Sequence, residues 1–228
     1  MSKKMIMLLI TFTVILNSAS TQITVGIKSN LLSNDTEVAS GNIDLDKTIK
    51  AKQGYSLGGV VEYGFDREWS LNSEILYKHI GFQIVQATSV GLFGLDVPIG
   101  ATLKTTVNYL ELPILLKYNR NLGNISAFVE AGPSINYAMN GKIKTVANSI
   151  LDFNVSETKL NLESESYNRI SVAANIGTGI TYPFSKDLIL SAGVRYSMDL
   201  SDSVNLPIID TGIKNNSWGI GLSIGKRF

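Results

Sequence analysis

Apolar and polar side chains alternate with a period of two through the last stretch of the chain. Trp218, Ile220, Leu222, Ile224 and Phe228 share one face, while Gly219, Gly221, Ser223, Gly225 and Arg227 share the other. A period of two is that of a β-strand, whose successive side chains point to opposite faces. The second face is too small and too polar to fill a core, whereas the first suits hydrocarbon. Apolar outward with small or polar inward is the pattern of a transmembrane β-barrel strand.

The same alternation gives eight candidate strands, near Ile23–Ser29, Tyr55–Phe65, Trp69–Phe82, Thr105–Tyr118, Ile125–Met139, Arg169–Tyr182, Leu188–Leu200 and Ser217–Phe228. Their faces agree. In the sixth, Ile170, Val172, Ile176, Ile180 and Tyr182 oppose Ser171, Asn175, Gly177, Gly179 and Thr181. Three connections are tight (Asp66–Glu68, Asn119–Asn124, Pro183–Asp187) and four are long (Asn30–Gly54, Ile84–Lys104, Asn140–Asn168, Ser201–Asn216). Long and short alternate, so an antiparallel meander gathers the tight turns at one end and the long loops at the other. The expected fold is all-β, an eight-stranded antiparallel up-and-down transmembrane β-barrel with short periplasmic turns and long extracellular loops. Closure leaves no exposed strand edge.

The N-terminus bears on location. Lys3 and Lys4 precede an apolar run from Met5 to Leu16, followed by Ser18, Ala19 and Ser20. That order is the basic, apolar, small-residue plan of a secretory signal peptide. The run falls short of the roughly 20 residues of a membrane-spanning helix. Residues 1–21 are therefore expected to be a signal peptide and residues 22–228 a single barrel domain, located in the cell outer membrane. The net charge of +1 points to no nucleic-acid partner, and the absence of cysteine removes disulfides and thiolate metal sites.

Aromatics cluster near the tight turns and the C-terminus. Tyr63, Phe65, Trp69, Tyr118, Tyr182 and Phe228 are expected to form a girdle at the periplasmic interface. Parity also places charge inside, at Lys28, Glu62, Glu74, Lys78, Glu111, Lys117, Glu130, Arg169, Arg195 and Asp199. Counted from the turns, Lys78, Glu111, Glu130 and Arg195 share a height near mid-barrel, with Glu62, Glu74 and Lys117 lower. An eight-stranded lumen is one that side chains just fill, and buried charges must pair, so a charge-plugged lumen without an open pore is the structural reading. In that reading Glu111 or Glu130 partners Arg195. The functional reading of the same residues is a proton path, a narrow pore or an acid/base site.

No catalytic, cofactor or metal site is expected, and no enzyme. His79, the single histidine, reads as a rim residue at the loop boundary. Asp44 and Asp46 fall short of the about six to eight oxygens of a calcium site. Gly177-x-Gly179 lies within a strand, not at a strand-to-helix turn, so it marks no phosphate site. A soluble lipocalin-like carrier needs an apolar interior, which the inward faces contradict.

The run Tyr109-Leu110-Glu111-Leu112-Pro113-Ile114-Leu115-Leu116-Lys117-Tyr118 resembles a recurring segment of the PorT-like outer-membrane β-barrel family of Bacteroidota. Ala131-Gly132-Pro133 with Tyr137, and the Gly-rich last strand ending in Phe228, are similar to that family's later segments. The resemblance implies an outer-membrane barrel and fixes no activity. A structural or surface-interaction role is the first expectation, and an accessory subunit of an envelope secretion or uptake machine the alternative. The partners expected are outer-membrane lipid, the barrel-assembly machinery through the C-terminal strand, and an unidentified protein at the long loops. Pro113 cannot donate to a ladder, so a bulge or kink is expected there.

Overall fold

The computed structural model describes residues 22–38, 49–51, 53–92, 95–148, 153–159, 169–201, 205–206 and 211–228. The expected signal peptide, together with Asp44 and Asp46, lies outside the described residues. In chain order the strands are β1 (Gln22–Val38), β2 (Ile49–Ala51), β3 (Gln53–Gly64), β4 (Trp69–Leu92), β5 (Leu95–Asn121) and β6 (Ser126–Asn148). They continue with β7 (Phe153–Lys159), β8 (Ile170–Pro183), β9 (Leu188–Asp199), β10 (Asn205–Leu206) and β11 (Thr211–Arg227).

Eight strands, β1, β3, β4, β5, β6, β8, β9 and β11, pair antiparallel in that order. The ring closes where β11 pairs with β1, from Thr24↔Arg227 through Val38↔Ile213. Burial is inverted relative to a water-soluble barrel. Ile220 and Leu222 are 67% and 66% exposed, whereas the inward Ser56 and Ser134 are each 1% exposed. The alternation thus faces as its chemistry requires, with apolar side chains outward and polar ones in the lumen.

Among their described residues the four long connections are almost entirely strand, not loop. β4 and β5 keep their register as far as Leu92↔Leu95, through the segment read as the loop Ile84–Lys104. β1 extends to Val38 and β6 to Asn148. Past the hydrocarbon no lipid imposes an apolar-polar alternation on the sequence, so the pattern lapses. The backbone still gains by pairing, and β-branched residues such as Thr88, Val90, Val97 and Ile99 favour it.

Pro113 does not produce the expected bulge. The β4–β5 register passes from Ser73↔Ile114 to Leu76↔Glu111 without a shift. The missing proline donor opens a gap in the ladder rather than inserting a residue. The irregularity lies further up, where Asn108 pairs with Asn140 but Tyr109 pairs with Ala138. Met139 is the extra residue, and it reverses the parity of β6 beyond it.

The short turns have local causes. In the β3–β4 turn the Asp66 carboxylate accepts the backbone N–H groups of Glu68 and Trp69, both at 2.7 Å. In the β5–β6 turn Gly123 adopts φ +95°, a conformation that favours glycine, and its N–H donates to Asn121 Oδ1 at 2.8 Å.

Two measurements test this account. Leu222→Arg, near mid-height, should cost about 2–4 kcal/mol in urea unfolding from lipid vesicles, whereas Val172→Arg, near the long-hairpin end, should cost only about 0–1 kcal/mol. Equal costs would contradict the assigned heights. The Asp66 carboxyl titrates below its ordinary value of 3.8, because the Trp69 and then the Glu68 N–H hydrogen bonds favour its charged form. Its stabilisation is therefore complete above pH 3.8 and lost as pH falls through the lower folded value. The stability gap between the wild type and Asp66→Ala should be constant near neutrality and shrink in acid. A gap independent of pH would exclude this role.

Candidate functional site

The lumen is organised around Arg195. Its strand, β9, stands four places from β4 in the ring of eight, so the two form opposite walls. The guanidinium crosses the interior and donates twice to Glu74 on β4, Nη1 to Oε2 at 2.8 Å and Nη2 to Oε1 at 2.7 Å. Its Nε and Nη2 both donate to Glu130 on β6, the former at 3.1 Å. Lys28 on β1 donates to Glu74 Oε1 at 2.8 Å, and Asn72 Nδ2 bridges Glu74 at 3.0 Å and Glu130 at 3.2 Å. Two cations and two carboxylates are thus joined across four strands in a cluster without net charge. A planar, forked guanidinium suits this work because it can bind two carboxylates at once.

Two further pairs flank the cluster. Nearer the short turns, Lys117 Nζ donates to Glu62 Oε2 at 2.8 Å, and Ser70 Oγ donates to Glu62 Oε1 at 2.8 Å. On the other side Lys78 Nζ lies 3.5 Å from Glu111 Oε2, and Ser134 Oγ donates to Glu111 Oε1 at 3.4 Å. The tiers counted along the strands need correction here. Glu74 belongs with Arg195 and Glu130, and Lys78 with Glu111 forms a separate pair. Strand tilt and shear cause the difference, since equal residue counts on non-adjacent strands do not mean equal heights. Small residues make the room. A Cβ on Gly177 would stand 3.2 Å from Glu130 Oε1, and one on Gly179 would stand 2.6 Å from the Phe128 ring.

The outer end of the lumen holds apolar side chains, which strand parity alone did not single out. Ile80, Val107, Tyr109 and Ala138 are buried together, with Leu32 packed against them. Nearby, Lys78, Tyr109, Asn136 and Asp199 line a space of about 10 Å³, room for at most one water. At the other end a cavity of about 170 Å³ extends from Arg195 past Glu62 and Lys117 to Gln22 and Arg67 at the short-turn mouth. Among the described residues no group of His, Cys, Asp or Glu is arranged to hold a metal ion.

Aromatics ring both ends of the outer surface. At the short-turn end Trp69 and Tyr118 lie 5.0 Å apart and Tyr63 and Phe65 5.5 Å apart, between ring centroids, with Tyr182 and Phe228 exposed at the same end. At the opposite end Tyr55 meets Tyr77 at 6.5 Å, and Tyr196 meets Trp218 at 4.7 Å. The outward parity of these residues is the sequence signal for this second group. His79 belongs to it. The imidazole stacks on Tyr55 at 5.0 Å and bonds through Nδ1 to Asn108 Oδ1 at 2.6 Å, on the outside of the wall.

Stability measurements on single variants address the cluster. Arg195→Met leaves Glu74 and Glu130 facing each other with Lys28 alone, and should cost about 3–5 kcal/mol in urea unfolding from vesicles. Lys117→Met should cost less, because the side chain of its partner Glu62 is 25% exposed whereas that of Glu74 is fully buried. A neutral Arg195→Met would remove the cluster as a stabilising element.

The family that the sequence matches is one of barrels of this kind. The model of a family described as an outer membrane protein beta-barrel domain matches residues 17–205. No curated protein sequence matches the chain. Among solved structures, the outer membrane protein OprG from Pseudomonas aeruginosa is 11% identical, with a TM-score of 0.49, covering 92% of this chain and 96% of that one. Neisserial surface protein A is 13% identical, with a TM-score of 0.44 and coverage of 88% and 95%. The N-terminal β-barrel domain of Pseudomonas aeruginosa OprF is 13% identical, with a TM-score of 0.38 and coverage of 88% and 97%. With most of the chain matched to one family model, on a closed barrel that turns its apolar side chains outward, this protein is a member of the outer-membrane β-barrel domain family and resides in the outer membrane.

Proposed function

We propose that this barrel is a closed structural and surface-interaction element of the outer membrane, not a pore and not an enzyme. The observation that carries the reading is the Arg195 cluster, which joins opposite walls of the lumen through Glu74, Glu130 and Lys28. The apolar group of Ile80, Val107, Tyr109, Ala138 and Leu32 supports it at the outer end. With the lumen closed at the Arg195 cluster, what the molecule offers to its surroundings is its outer wall and its long hairpins. The β4–β5 hairpin, whose strands run for 24 and 27 residues, is the most prominent of these and the natural place for a protein partner. The lone histidine faces outward, where it has no acid or nucleophile among its hydrogen-bond partners.

The placement among PorT-like proteins rests on the Tyr109–Tyr118 run, and the accessory-subunit alternative rests on that resemblance. Residues 1–21 are proposed as the signal peptide and 22–228 as the mature barrel. The two aromatic rings are read as interfacial belts, one per leaflet. β11, with its edge unpaired until β1 closes on it, is the segment proposed to engage the assembly machinery.

Electrical recording tests the closed lumen. Wild-type protein reconstituted in planar bilayers should show no steady conductance, and liposomes containing it should retain a small entrapped dye. Steady channel openings from protein whose gel mobility shifts on heating, the mark of a folded barrel, would overturn the plug.

A further inference from the structure

The cavity below the Arg195 cluster is a long, narrow slot. It is blind at Arg195 and opens at the short-turn end, and its volume is about 170 Å³. On β11 it runs from Gly219, which pairs with Arg195, down to Arg227. At roughly 3.3 Å per residue and a tilt near 40°, that run is about 20 Å of height. So small a volume over so great a depth admits a slender molecule and excludes a compact one.

The charges at its mouth do not balance. Each carboxylate that lines the slot is already engaged. Glu74 is held by Arg195 and Lys28, and Glu130 by Arg195 and Asn72. Glu62 is held by Lys117 and Ser70, and Asp66 by two backbone N–H groups of its own turn. Arg67, in the β3–β4 turn, and Arg227, on β11, also line the mouth. Among the described residues neither guanidinium has a hydrogen-bond or ion-pair partner. Set against Asp66 alone, the two leave the entrance positive, and low-dielectric walls focus that potential on the opening.

The cross-strand register orders the wall above the mouth. The lowest inward row is Glu62–Thr24–Arg227. The next is Val60–Gly26–Gly225–Ile189, two aliphatic side chains flanking two glycines that leave the wall between them bare. Above it the wall turns polar again, with Lys28, Ser223 and Ser191. Successive inward rows lie about 5 Å apart in height.

We propose that the slot binds a short linear carboxylate from the periplasm. Arg67 and Arg227 clamp the carboxylate at the mouth, and the methylene chain lies on the bare glycine wall between Val60 and Ile189. A guanidinium suits the first task because its planar fork pairs with both carboxylate oxygens. The polar row, about 10 Å above the mouth, sets the length. A chain of about six carbons fills the aliphatic row, whereas further methylenes meet Lys28, Ser223 and Ser191 and gain nothing.

Nuclear magnetic resonance titration of the full barrel in lipid nanodiscs tests the proposal, with straight-chain acid salts as probes and the Gly193 and Gly225 amides of the slot wall as reporters. Affinity should rise about fourfold per methylene from butanoate to hexanoate, as burial of a CH₂ group implies, and level off from hexanoate to octanoate. Hexanamide, with the chain but not the charge, should bind roughly tenfold or more weakly, and so should hexanoate to Arg67→Gln/Arg227→Gln. Arg120→Gln should leave binding unchanged, because that exposed arginine pairs with Glu68 outside the slot. Should the double variant lack the heat-shifted band of a folded barrel, Arg67→Gln alone serves, since its side chain is exposed in a turn, and it should lose part of the affinity. Undiminished hexanoate binding by these variants would overturn the proposal, as would the absence of saturable shifts in the wild type. So would acetate binding as tightly as hexanoate, which would make the slot a site for a compact anion. An affinity that keeps climbing through octanoate would overturn it too, by placing the acids in the bilayer.

Discussion

Hydrocarbon offers a backbone amide no partner, so every N–H and C=O that crosses it must find one within the sheet. An open sheet fails this demand at its two edges, at several kcal/mol for each unsatisfied group. The pairing of β11 with β1 meets it, and the rest of the molecule follows from that closure. Eight tilted strands enclose a lumen only as wide as the side chains that fill it. The outward positions then have to be apolar, the inward ones have to fit together, and the turns have to reverse the chain outside the membrane.

Within so narrow a lumen charge is tolerated only where it is matched. Arg195 reaches Glu74 on the opposite wall and Glu130 two strands away, while Lys28 balances the second carboxylate. Such a cluster adds less net stability than its short distances suggest, because four charged groups had to leave water to make it. Its consequence is specificity, since opposite walls are held at one separation and one stagger. Glycine serves the same end. Gly177 and Gly179 leave space for Glu130 and for the Phe128 ring, over which the Lys117 ammonium lies at 4.4 Å. The inward face is small at these positions because large side chains from other strands occupy the volume.

Beyond the membrane the constraint relaxes. β4 and β5 keep pairing as far as Leu92↔Leu95. The bulge at Met139 sits at this boundary. One inserted residue turns Asn140, Lys142 and Lys144 to the outside, so a local irregularity of the backbone changes the chemistry that the wall presents to the outer leaflet.

The sequence by itself determined the fold class, the strand count, the direction of each face and most of the inward charges. Those properties are local. Alternation such as Ile220-Gly221-Leu222 is written in consecutive residues, and tight turns such as Asp66–Glu68 name themselves by length and composition. The tertiary structure decided the rest. Arg169, expected inward, instead lies over the ring of the outward Tyr137, 5.7 Å from its centroid, because it stands at the strand end where parity no longer holds it. Arg195 meets Glu74 instead of Glu111 because shear offsets the strands, and no count along one strand reveals the offset of another. The long hairpins carry no strand signature in the sequence, because beyond the hydrocarbon no lipid imposes the alternation that marks a strand. The outward turn of Lys142 and Lys144 depends on one unpaired residue, Met139, whose insertion is a property of the β5–β6 register and not of either strand alone.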